Sequence, residues 1–152
     1  MNRRHALFFA ATFLLFPLGT LQAAEEPKVW GALILGGADL AVAGSDSAQF
    51  QEIRGRLSKE AQLRFSEYVL LGEETQAVPK EFDTWVVPSK EIFLELDYKG
   101  SDASGMKFFL RLWHKETVKT KADVVLTPDQ PLLIRGPQWK GGYLIFALDL
   151  VN

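Results

Sequence analysis

The residue pattern predicts an α+β fold, mainly antiparallel β-sheet or sandwich with one N-terminal amphipathic helix after the first strand. Three observations carry this expectation. Apolar residues recur at three- and four-residue steps in one segment, residues 50–61. After residue 65 the period changes to two. Short Gly- and Pro-containing breaks separate the two-residue runs, which joins neighbours as hairpins. Runs of strands with one helix set apart form the α+β pattern.

The first strand is expected over residues 28–35, where Val29, Trp30, Leu33, Ile34 and Leu35 form a nearly continuous apolar run. Such a run suits a strand covered on both faces, and Gly36-Gly37 ends it. Ser45 or Asp46 then has the chemistry of a helix N-cap. Phe50, Ile53, Leu57 and Ala61 line one helical face, and charged residues from Glu52 to Glu60 fill the other. The helix is expected to end near Leu63. Gly55 lies inside it and weakens it by roughly 1 kcal/mol relative to alanine.

From Phe65 the chain reads as strand. Phe65, Val69 and Leu71 are expected on one side, with Tyr68 and Leu70 on the other. Residues 82–87 form a short strand candidate before Pro88. Ile92, Leu94, Leu96 and Tyr98 alternate with Phe93, Glu95, Asp97 and Lys99, the signature of a half-buried strand. A hairpin loop at 100–105 leads to Met106, Phe108, Leu110 and Leu112, which alternate with Lys107, Phe109, Arg111 and Trp113. Strands at 118–126, 132–135 and 143–151 complete the chain, with residues 136–142 as a loop. If the first two strands were parallel neighbours, they and the helix would form a right-handed crossover unit.

The first 23 residues have the layout of a secretory signal peptide: Arg3-Arg4, an apolar run to Leu21, then a small residue at Ala23. Pro17 and Gly19 interrupt that run early, whereas a spanning helix needs about 20 apolar residues. Cleavage leaves residues 24–152 as a single small globular domain with no stable membrane span. Loss of Arg3 and Arg4 leaves fifteen basic against nineteen acidic side chains, a net charge of −4. That balance argues against nucleic-acid binding. There is no cysteine, so an exported domain of this kind must stand on apolar burial and strand pairing. The expected location is periplasmic or secreted, in a bacterial envelope.

Catalytic and metal chemistry find little support. His114 is the one histidine after the leader. No serine lies in a Gly-x-Ser-x-Gly turn. A zinc centre would need carboxylates for nearly all its ligands, and no cofactor is expected. The glycines at 31, 36, 37 and 44 do not have the spacing of a nucleotide-binding turn. Glu73 and Glu74 are adjacent, so within a strand they point to opposite faces. Glu95 and Asp97 share a face, and that face reads as solvated.

The tryptophans are more informative. Trp30 and Trp85 lie in strand contexts and are expected in the core. Trp113 falls on the side of Lys107 and Arg111, with its ring half exposed. Trp139 sits in a loop between Arg135 and Lys140, where a large aromatic can anchor a partner, stack on a sugar, or fold back over the end of the sheet. The residues nominated for partner or glycan binding are therefore Trp139, Arg135, Lys140 and Trp113. The functional expectation is a non-catalytic binding or assembly module whose partner is an envelope protein. A carbohydrate-binding module is the alternative, and a carboxylate-based hydrolase the second alternative.

Overall fold

The computed structural model describes residues 28–77, 83–89 and 92–151. The leader expected over residues 1–23 and the core position expected for Trp85 lie outside the described residues and side chains. The elements are β1 (Lys28–Gly37), α1 (Ala48–Leu57), β2 (Glu67–Ala77), β3 (Asp83–Ser89), β4 (Ile92–Asp102), β5 (Gly105–His114), β6 (Thr117–Leu126), β7 (Leu132–Trp139) and β8 (Gly142–Val151). They form two four-stranded sheets, ordered β2-β1-β8-β7 and β3-β4-β5-β6. All six strand pairings are antiparallel. The predicted class is therefore the observed one, with a single helix among the described residues, after the first strand.

β1 and β8 show why an unbroken apolar run was needed. Val29, Leu33 and Leu35 meet Leu144, Phe146 and Leu148 between the sheets, against Leu94, Leu96, Phe108, Leu110 and Leu112 of the second sheet. The alternate residues Trp30, Ala32, Ile34, Ile145 and Ala147 face the other way, against Phe50, Ile53 and Leu57 of α1. The first sheet is thus covered on both faces. Only the inner face of the second sheet packs against this core.

Ser47, rather than Ser45 or Asp46, caps α1: its Oγ accepts from the Phe50 N–H at 3.1 Å. Ser45 is held elsewhere, its N–H donating to Leu70 O at 3.0 Å. Regular helix stops at Leu57, short of Leu63. Three-residue turns carry the chain on, and Leu63 is buried where Ala61 is exposed. Phe65 also changes sides, packing with Tyr68 on the helix side while Val69 and Leu71 face the sandwich interior. The connection that contains α1 leaves from Gly37 and returns to Glu67, which pairs with Gly37. It comes back to the end it left, so β1 and β2 are antiparallel and no crossover unit forms.

β7 continues to Trp139 where a loop was expected from residue 136. Pro137 lies at a register break between Arg135 and Gln138, and β7 is an edge strand. Both features let a strand tolerate a residue without an N–H. Lys140 and Gly141 form the two-residue turn into β8 with φ of 42° and 83°, the double positive φ that favours glycine in a tight hairpin.

A candidate binding face on the second sheet

Alternation along β5 sends Met106, Phe108, Leu110 and Leu112 inward. It therefore sends Lys107, Phe109, Arg111 and Trp113 outward, on the face that α1 does not cover. Register places Phe93 opposite Trp113, Glu95 opposite Arg111 and Asp97 opposite Phe109. Directly opposed residues share a face, so these six side chains form one patch. Lys121, Asp123 and Val125 of β6 extend it, opposite Arg111, Phe109 and Lys107.

The centre of the patch is tied together. The Phe93 and Trp113 rings stack, with centroids 5.6 Å apart and planes 12° off parallel. The indole Nε1–H of Trp113 donates to Glu95 Oε2 at 2.8 Å, and the Nε–H of Arg111 donates to the same oxygen. The Arg111 guanidinium lies 5.3 Å from the centre of the Phe109 ring. Glu95 is consequently only 9 % exposed. The expectation of a solvated face around Glu95 is overturned: the aromatic residues beside it exclude water, and two charge-assisted or indole donors make the buried carboxylate tolerable. Val125, at 47 % exposure, is the one large hydrophobic side chain strongly exposed among the described residues.

The four residues Trp139, Arg135, Lys140 and Trp113 do not all meet, although Trp113 and Arg135 line one cleft. Trp113 belongs to the patch just described. Trp139 is half-buried against the inter-sheet core, and Lys140 lies over its ring at 4.6 Å. The Arg135 guanidinium is turned to the helix side, 4.0 Å from the Tyr143 ring centre, and its Nη1 donates to Gln62 O at 3.3 Å. Phe93, Glu95, Phe109 and Arg111 were absent from the nomination. Their signal was present in the sequence: an outward-facing register that carries aromatic residues at 93, 109 and 113 is not an ordinary solvated face.

Among the described residues no group of three or more His, Asp or Glu side chains is placed to hold a metal ion. No helix among them is long and apolar enough to cross a membrane. No protein-family model, curated protein or solved structure matches this chain.

Proposed function

We propose that this chain is a non-catalytic binding module of the bacterial envelope, exported through its N-terminal leader, and that it holds another envelope protein against the outer face of β4, β5 and β6. The observation that carries the reading is the pinned aromatic and guanidinium cluster of Phe93, Phe109, Arg111 and Trp113 on that open face. Aromatic residues and arginine dominate the energetics of protein interfaces. Their conformations are set before any partner arrives, which lowers the entropy cost of binding. Asp97, Lys107, Lys121 and Asp123 surround the cluster with both signs of charge, the apolar centre and polar rim typical of protein recognition. Each ring of the Phe93–Trp113 stack gives one face to the other ring.

Site-specific photo-crosslinking in intact cells tests the reading. A crosslinker at position 109 is expected to give a discrete protein adduct that disappears when Val125→Asp is added. The same crosslinker at position 54, on the exposed side of α1, should not give that adduct. No adduct from position 109, or the same adduct from both positions, would overturn the proposal. A tryptophan fluorescence change with soluble cell-wall glycans, abolished by Trp113→Ala, would replace the protein partner by a glycan.

A further inference from the structure

We infer that the side of the sandwich between β6 and β7 carries a second binding site, a cleft for a carboxylate borne on a short apolar body. Among the described residues β6 and β7 edge different sheets and are not paired. β7 bends at the register break that contains Gly136 and Pro137. A cleft of about 260 Å³ opens there, floored by Ile92 and Leu112, walled by Trp113 and Pro137, and flanked by His114 and Lys119. Ile92 and Leu112 are buried side chains of the inter-sheet core, so the floor is apolar.

The charge in the lining is one-sided. Lys119 and Arg135 are its cationic residues, and among the described residues no Asp or Glu lines the cleft. The Arg135 guanidinium is already engaged with Tyr143 and Gln62 O. Lys119 is therefore the cation in place to meet an anion. Ligand pockets commonly run from about 300 to 1,000 Å³, so this cleft of about 260 Å³ lies just below that range and suits a group the size of a leucine or phenyl side chain. An apolar floor alone takes any small hydrocarbon. An ammonium in the lining, with no carboxylate beside it among the described residues, selects the acid over its neutral isostere. The chemistry is shared by a free small organic acid and by the C-terminal residue of a protein chain. The inference stands apart from the outer-face reading, with which it has only Trp113 in common.

The test is a set of ¹H–¹⁵N chemical-shift titrations of the folded domain with hexanoate and phenylacetate, each against its primary amide. The carboxylates are expected to shift the Thr120 and Gly136 amides and the Trp113 indole saturably, and to bind about tenfold more tightly than the amides. Lys119→Gln should bring the acids down to the level of the amides, and Lys119→Arg should restore the difference. Lys119 is exposed, so neither variant threatens the fold. A short peptide ending in a free leucine carboxylate, compared with hexanoate, separates the two sources: tighter binding assigns the cleft to a protein C-terminus, weaker binding to a small acid. Absence of shifts at these three positions, equal binding of acid and amide, or indifference to Lys119→Gln would overturn the inference.

Discussion

Asp149 carries the least comfortable charge among the described residues. It lies on the helix-facing side of β8, only 7 % exposed. Gln49 Nε2 of α1 donates to its Oδ2 at 2.9 Å, while Oδ1 is buried with no protein partner. Burial raises its pKa above the ordinary 3.8, and the nearby Glu52 adds to the rise. Arg56 and an N–H from the chain at Leu150 act in the opposite direction, and Asp129 adds weakly to the rise. Below 3.8 both the folded and unfolded chains hold this proton, and the group costs nothing. As pH climbs from 3.8 through the raised folded value, the unfolded chain releases the proton first and stability falls. Asp149→Asn removes that dependence. Urea denaturation across pH 3.5 to 8 is expected to show the variant gaining on the parent as pH rises, and a pH-independent difference would refute the assignment. Neither Asp149 nor Glu95 can be recognised as buried from the sequence by periodicity alone. Asp149 follows the apolar run of the last strand, but nothing in that run shows that its second face is covered by a helix whose Gln49, one hundred residues away, becomes its partner. Glu95 occupies a register that normally faces water, and only the aromatic residues on the neighbouring strand bury it.

At the scale of elements, the helix was legible because Phe50, Ile53 and Leu57 repeat at helical steps and all three are buried. Its end was not, because the residues after Leu57 keep enough of the pattern to bury Leu63 through three-residue turns. The hairpins were legible from alternation. The pairing of β1 with β2 was not, because nothing local tells whether a chain that passes through a helix returns to the end of the strand it left. The strand character of Trp139 was hidden by Pro137, whose missing N–H matters only if the strand is internal. α1 also offers a clear handle on stability. Gly55 is exposed, and a Cβ built there meets nothing within 4 Å. Gly55→Ala is therefore expected to stabilise the domain by about 0.5–1 kcal/mol, read as a higher midpoint in urea. A lower midpoint would mean that the helix depends on the flexibility of this position.

For the molecule as a whole, burial is uneven. The first sheet sits between α1 and the second sheet, and β1 and β8 are its inner strands. Leu33, Ile34, Leu35, Leu144 and Ile145 are each exposed by 2 % or less. β6 is an edge strand whose lysines and aspartate lie in water. Opening free energies follow such differences, from near zero at exposed edges to the global value in the core. Native-state hydrogen exchange is expected to leave the amides of residues 33–35 and 144–147 protected at least about a hundredfold more than those of residues 119–123. Comparable protection in both sets would mean that β6 is covered by something in solution.

The strand order has a kinetic corollary. Every hairpin from β3 to β6 can close as soon as its own residues exist, yet β1 acquires its partner on one side only from the last ten residues of the described fold. A chain emerging N-terminus first, from a ribosome or through a translocation channel, therefore has one side of β1 waiting for β8. Completion of the first sheet therefore waits for β8, and removal of that strand takes away the neighbour that β1 and β7 share.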